Sequence, residues 1–447
     1  MDTAPRWSRV AKASLLAGTV ATFAALTAMP AQAETAMERR VRVLEQELNA
    51  IKSGQKPTER EAALEKRVIE LENELKQVKG NVDTVKDKVA SRVVHGGRRD
   101  VTVDIYGQAN RGVLLTDDGF RTSVANVDND ASSTRFGFQA KGPLIVKDAS
   151  VGAKIELEIQ ENPSNVINQF NTKNSGASVD NRKLEAWLES KTYGKLSLGK
   201  GDTASNETAE QDLSGTAIAT GYSDIPTTAG GFLFANKNLN GAVPYSTNST
   251  LSPAIKNVFN NLDGLSRQNR IRYDTPDFYG FSAAASQTGT LGTGSTNARD
   301  VALFYSGKLY RVKVAGAVGA AFQRNTFNIY DGSISMLDDS GINLTFAAGG
   351  TGNNGAGRDP RQYYYVKLGY LADWFQIGKT AFGIDWSEQT DQRQNGDYAR
   401  MYGAYVVQNI DASGTELYLA VKNHQLFADT GSYDNLLAVL SGLRVRF

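Results

Sequence analysis

The stretch VGAKIELEIQ, residues 151–160, sorts its side chains by parity: Val151, Ala153, Ile155, Leu157 and Ile159 on one face, Gly152, Lys154, Glu156, Glu158 and Gln160 on the other. Successive side chains of a strand point to opposite faces, so this is a β-strand with one apolar and one largely charged side. Alone it would suit the surface strand of a soluble sandwich. Repetition changes the reading. Val103 and Ile105 oppose Asp104 and Tyr106, Leu184, Ala186 and Leu188 oppose Lys183 and Glu185, and Ile271 and Tyr273 oppose Arg270 and Arg272. Near the end Leu417, Leu419 and Val421 oppose Glu416, Lys422 and His424, and Leu443, Val445 and Phe447 alternate with Arg444 and Arg446.

About fourteen such segments are legible between residues 101 and 447, and short links alternate with long ones. Short links are read at Thr192–Gly194, Thr275–Gly280 and Leu371–Trp374, long ones at Asn162–Asp180, Ala204–Ser266 and Asn325–Pro360. Tyr and Trp recur at strand ends, among them Tyr273, Tyr279, Tyr310, Tyr364, Tyr370 and Trp374. Alternating turn length with aromatic ends is the pattern of a transmembrane β-barrel, apolar side to lipid and polar side to water. A large secreted sandwich or β-helix explains the alternation but not the placement of the aromatics. At about 22 residues per strand and connection, residues 101–447 hold about 16 antiparallel strands around an aqueous lumen, the two unread ones falling within 325–360.

Composition agrees with this class. The 447 residues carry 49 Lys+Arg against 48 Asp+Glu, which leaves no nucleic-acid footprint. With 43 Gly, 18 Tyr and 10 Pro, the chain favours strands and turns. No cysteine is present, which excludes disulfides, thiolate metal sites and cysteine nucleophiles. Arg6, Arg9 and Lys12, an apolar stretch from Leu15 to Met29, and Ala31-Gln32-Ala33 form an export signal over residues 1–33, with the mature chain expected to start at Glu34.

A heptad seam follows over residues 34–92, through Val41, Leu44, Leu48 and Ile51, then Leu64, Val68, Leu71, Leu75, Val78, Val82, Val85 and Val89. Ser53-Gly54 and Pro57 interrupt it, and thirteen residues from Ile51 to Leu64 break the register, so two helices joined by a hinge are expected. So narrow a stripe needs another copy to be buried, which predicts a self-associating α-helical coiled-coil stalk of two or three strands. Residues 93–100, with Gly96-Gly97, read as a linker.

Taken in order, VDIYGQANRGVLLTDDG (103–119), SSTRFGFQAKG (132–142), LEAWLESKTYGKLSLGKGDTAS (184–205), RQNRIRYDTPDFYGFSAAAS (267–286) and the terminal Phe447 resemble the Gram-negative outer-membrane diffusion porins. The resemblance implies sixteen-stranded barrels assembled as homotrimers in outer-membrane lipid, passive passage of small hydrophilic solutes, and no enzymatic activity. It implies a third loop, about 204–265, folded into the pore and bearing Glu207, Glu210 and Asp212. Facing it, strand parity nominates Arg135, Lys154, Lys183, Arg270 and Arg272 as basic wall residues. It implies too that Leu443, Val445 and Phe447 are read by the barrel-assembly machinery. The stalk departs from plain diffusion porins and is similar to that of envelope-anchoring ones, which points to the periplasm and to a peptidoglycan or cell-wall partner. The competing reading is a structural anchor whose barrel is not an open pore.

Three further patterns carry no chemistry. His95 and His424 stand in no catalytic motif. Gly350, Gly352 and Gly355 spell G-x-G-x-x-G without a following helix or a βαβ unit. Asp128 and Asp130 resemble the start of a calcium loop but lack its glycine and distal glutamate, which leaves Ca2+ at external loops as the only cofactor in view.

Overall fold

A computed structural model describes residues 92–95, 101–146, 148–173, 178–239, 244–289, 297–323, 327–352, 355 and 357–447. The expected leader and, apart from Arg92, the expected coiled coil lie outside the described residues.

Sixteen strands form the barrel. They are β1 (Thr102–Asp117), β2 in two pieces (Thr122–Asp128 and Arg135–Pro143), β3 (Ala149–Gln160), β4 (Ser178–Ser190), β5 (Gly194–Asp202), β6 (Arg267–Asp274), β7 (Phe281–Thr288) and β8 (Ala298–Leu309). Then come β9 (Val312–Gln323), β10 (Asn328–Asp338), β11 (Ile342–Gly352), β12 (Gln362–Phe375), β13 (Gly378–Thr390), β14 (Tyr398–Ile410), β15 (Thr415–Ala428) and β16 (Leu436–Arg446). Each pairs antiparallel with its neighbours in sequence, and β16 pairs with β1 from Leu437 opposite Asp117 to Arg446 opposite Gln108. The sheet is thereby closed and has no long free edge. β10 and β11 are the two strands expected within 325–360, so that stretch is a hairpin and not one long loop. The turn read at Leu371–Trp374 lies further on, at residues 376–377. β12 loses its alternation at buried Ala372, where its pairing with β13 slips, but runs on to Phe375, and the reversal falls where Gly378 takes φ 139°, open to glycine alone.

The faces are inverted relative to a water-soluble protein. Val151, Ile155 and Ile159 are 40%, 45% and 41% exposed, while Glu156 between them is 4% exposed. Tyr193, Tyr279, Tyr310 and Trp374 stand exposed beside the short turns, where interfacial aromatics belong. The opening stretch is thus outward-apolar and inward-charged, as a lipid-embedded barrel requires. Turns of two to six residues close the end that carries both β1 Thr102 and Phe447. Connections at the other end run from four residues up to the 64 of segment 203–266.

Two local departures shape the interior. β2 breaks at Asn129–Thr134, where the Asn129 side chain accepts the Ala131 N–H and a 3-10 turn, Asp130–Ser132, forms. Between β3 and β4 the register slips: Glu156 pairs with Lys183 but Leu157 with Asn181, leaving Arg182 as an extra, bulged residue. At the seam, Phe447 exchanges backbone hydrogen bonds with Gly107 at 2.9 and 3.0 Å. Below it the edge of β1 does not stay open. Arg92–His95, reaching into the expected linker, forms a strand on Thr102–Ile105, in line with β16.

Candidate functional site: a loop folded into the barrel

Segment 203–266 enters the barrel and runs along its inner wall. The Ser205 backbone N–H and hydroxyl donate to Asp300 of β8 at 2.8 and 2.6 Å, and the Thr208 hydroxyl donates to Asp331 of β10. Gln211 and Leu213 donate backbone N–H groups to Ser333 and Ser335, both at 2.9 Å. Lys367 of β12 pairs with Asp212 at 2.5 Å, Lys422 of β15 donates to the Thr220 carbonyl at 2.8 Å, and Asn129 donates to the Ile218 carbonyl at 2.9 Å. The path therefore crosses from β8 through β15 to the break in β2.

Behind that path the lumen is dry. Ile218, Ile225, Phe232, Phe234, Ile255 and Phe259 pack with Tyr363, Tyr365, Met401 and Leu436 of the wall in one buried cluster. Each buried large side chain contributes about 2 kcal/mol. Inward charges on this side survive burial by being bonded. Lys367 and Asp212 hold each other, and Asp385 accepts from the Tyr365 and Tyr405 hydroxyls at 2.9 Å. His424 points inward as expected but is fully buried, its Nδ1–H donating to the Leu436 carbonyl at 3.1 Å with Phe259 packed on its ring. This packing fills part of the lumen that the inward charges led us to expect as aqueous.

The rest of the interior keeps a cavity of about 530 Å3. The inward loop lends it Glu207, Glu210, Asp224 and Asp263; the wall lends Arg135, Arg182 and Arg267, with Arg361 from the end of the connection that leads into β12. Asp263 accepts the Glu207 and Ala209 N–H groups at 2.8 and 3.0 Å, and Glu210 accepts the Asn261 amide at 2.8 Å. Burial pushes the Asp224 carboxyl up to about 7, Asp130 adding to the shift, and pushes Asp263 up to about 6. Glu210 is driven well above the usual carboxylate range by burial and then by Asp263 and Asp224. Glu207, Tyr222, Ala229, Leu262 and Ser266 all sit at φ between 51° and 69°. Strained backbone of this kind persists where its surroundings over-determine it, and it clusters at working sites.

Of the residues expected at this site, Arg135, Glu207 and Glu210 line the cavity. Asp212 does not: with its side chain 1% exposed, it is turned to Lys367 and anchors the loop. Lys154 lies away from the cavity, over the Tyr106 ring at 4.9 Å, and Lys183 is paired with Asp202. Arg270 is held by Glu185 at 2.5 Å, and Arg272 by Asp274 at 2.6 Å and by the Thr203 carbonyl at 2.6 Å, so both brace the point where the loop leaves the wall. Strand parity placed these four inward but gave no partners.

Arg182, Arg267, Arg361, Asp224 and Asp263 were not foreseen. The bulge turns Arg182 inward beside Lys183, where parity puts it outward, and it meets Glu156 and Glu158 at 2.9 Å. Arg267 follows Ser266 at φ 55°, outside the alternation of β6. Asp128 and Asp130 sit at the break in β2 and not on an external loop. Asp128 accepts the Thr134 N–H, and Asp130 accepts from Gln160 and Asn165. At the seam, Leu443 and Phe447 are 45% and 58% exposed, and a Cβ on Gly107 would come within 2.5 Å of the Phe447 ring.

A model of the Gram-negative porin family matches residues 21–426. No curated protein matches the chain. Among solved structures, the anion-selective porin of Comamonas acidovorans is 16% identical with a TM-score of 0.50, over 78% of this chain and all of its own. OmpT of Vibrio cholerae in a trimer form is 14% identical with a TM-score of 0.47, over 78% of this chain and all of its own. OmpF of Salmonella typhi is 14% identical with a TM-score of 0.46, over 80% of this chain and all of its own.

Proposed function

We infer that this chain, which belongs to the Gram-negative porin family, is an outer-membrane channel for passive diffusion of small hydrophilic solutes, constricted by its inward third loop. The observation that carries the reading is the cavity of about 530 Å3 bounded by loop carboxylates and wall arginines inside a closed barrel whose apolar side faces out. Opposed charge in a narrow wet passage screens solutes by size and charge without any energy input. In this reading Glu207 and Glu210 act with Asp224 and Asp263 on the loop, and Arg135 acts with Arg182 and Arg267 on the wall. Asp212, Lys154, Lys183, Arg270 and Arg272 shape the passage indirectly, through the contacts that hold loop and wall in place.

Residues 1–33 serve as a cleaved leader, 34–91 as a periplasmic coiled coil that self-associates under a homotrimer, its expected last residue Arg92 standing instead in the strand on β1, and the coil as the contact to peptidoglycan. Leu443, Val445 and Phe447 present the strand that the assembly machinery reads. Liposome swelling with neutral sugars of rising size tests the channel: entry of pentoses with a sharp cutoff above them supports it. The dry packing against β10–β15 favours one second reading, an anchor with a plugged lumen, and exclusion of every sugar would establish that instead.

A further inference from the structure

We propose that the outer stretch of the inward loop is a fixed roof over half of the external mouth, so that solutes enter off-centre, above β5–β12, through an opening narrower than the periplasmic one. This rests on the channel reading and adds a second point of size selection to it. Residues 235–239 and 244–251 meet the connections at the barrel end where the long ones lie. On one flank Asp118, between β1 and β2, is 1% exposed and accepts from four donors: the Phe120 and Arg121 N–H groups at 3.0 and 2.8 Å, the Gln169 amide at 2.8 Å and the Tyr245 hydroxyl at 2.5 Å. Gln169, between β3 and β4, is tied in turn to Leu233, donating to its carbonyl at 2.6 Å and accepting its N–H at 3.0 Å. The Phe120 and Phe170 rings stand edge-to-face with Tyr245, their centroids 5.9 and 5.3 Å from it.

On the other flank, Lys237 donates its N–H to the Ser432 carbonyl at 2.8 Å and pairs its ammonium with Asp434 at 2.6 Å, both between β15 and β16. Arg393, between β13 and β14, donates to the Ser249 carbonyl at 3.2 Å and to the Thr250 carbonyl, while Asp397 holds its guanidinium at 2.7 Å. Asn236, 1% exposed, closes the stretch on itself by donating to the Leu251 carbonyl at 2.8 Å. Four neighbouring connections, β13–β14, β15–β16, β1–β2 and β3–β4, are thus stitched to one piece of loop. Buried polar groups with their bonds made hold a single arrangement, because opening them strands each group without a partner. Beneath this roof lies the dry packing, where Phe234, Ile255 and Phe259 share one buried cluster with Leu114, Leu436 and Leu440. The cavity instead comes up on the opposite arc, beside Phe327 and Arg361. At the periplasmic end, turns of two to six residues leave little chain to reach over the lumen. The two mouths therefore differ in width, and pore width is what a passive channel selects by.

The test is one-sided polymer exclusion on the full-length protein in a planar bilayer. Polyethylene glycols of rising mass are added to one side at a time, and the largest that still lowers single-channel conductance is read for each side. The chain has no native cysteine, so biotin on Thr247→Cys, an exposed roof position, lets streptavidin mark the external side at the end of each recording. We expect a smaller size limit from the external side than from the periplasmic side. Tyr245→Phe combined with Arg393→Met cuts a bond on each flank and should raise the external limit to the periplasmic one, with the periplasmic limit unchanged. Tyr245→Phe alone, which loses one hydroxyl and keeps the ring packing, should raise the external limit in the same direction even if the double variant fails to assemble. Arg393→Lys, which keeps a donor, should keep the asymmetry. Equal limits from both sides of the conducting wild-type channel would overturn the proposal and leave the channel standing, and so would an external limit that Tyr245→Phe does not move. An inserted barrel that carries no current would overturn both.

Discussion

Asp224 is the side chain whose environment most directly predicts a pH response. Burial raises its carboxyl from the ordinary 3.8 to about 7, so it is neutral in mildly acidic medium and charged in mildly alkaline medium. A carboxyl whose folded value is raised favours the folded loop fully below the unfolded value, and that contribution is lost as pH rises through the folded value. The passage should therefore gain cation preference between about pH 5 and pH 8, seen as a shift in reversal potential under a salt gradient, while the inward loop loosens slightly. Asp224→Asn should flatten the upper part of that curve, and a wild-type profile already flat would refute the assignment. Gly107 makes a second single-position case. Valine there would strike the Phe447 ring, so Gly107→Val should lower the yield of assembled barrel more than it lowers conductance per assembled channel. The sequence disclosed which side chains face inward, because alternation follows from strand geometry. It hid Arg182, because one bulged residue reverses parity and nothing in the letters marks it.

Among the elements, the inward loop depends on its anchors. Lys367 and Asp212 are both buried, and removing one partner of such a pair costs about 3–5 kcal/mol because the other charge is stranded. Lys367→Met should therefore free the loop from β12, seen as noisier and larger single-channel currents and as new protease cleavage within 203–266. The double variant Lys367→Met with Asp212→Asn should restore quiet currents, and failure of that rescue would mean the pair does not hold the loop. The strand Arg92–His95 covers the stretch of β1 that β16 does not reach. Proline at Val94 removes a backbone donor from that pairing, and it should lower the temperature at which the barrel unfolds without altering conductance. The loop's place in the chain and two of its cavity carboxylates, Glu207 and Glu210, were legible before the structure, while Asp224 and Asp263 were not. Its dry packing was not, since the apolar residues from Ile218 to Phe259 show no regular period and find their partners only on the far wall.

For the whole molecule, closure was the most legible property. Sixteen strands, the return of β16 to β1 and the outward apolar face all follow from a period of two repeated between unequal links. How much of the lumen stays wet was not legible, because the same inward charges suit open water and a bonded dry packing alike, as Lys367 and Arg135 separately illustrate. Single-channel recording of the purified protein in a planar bilayer bears on this most directly. Stepwise conductance that grows with salt concentration, in groups of three for a homotrimer, is the expected result. A correctly folded barrel that inserts and passes no current would contradict it.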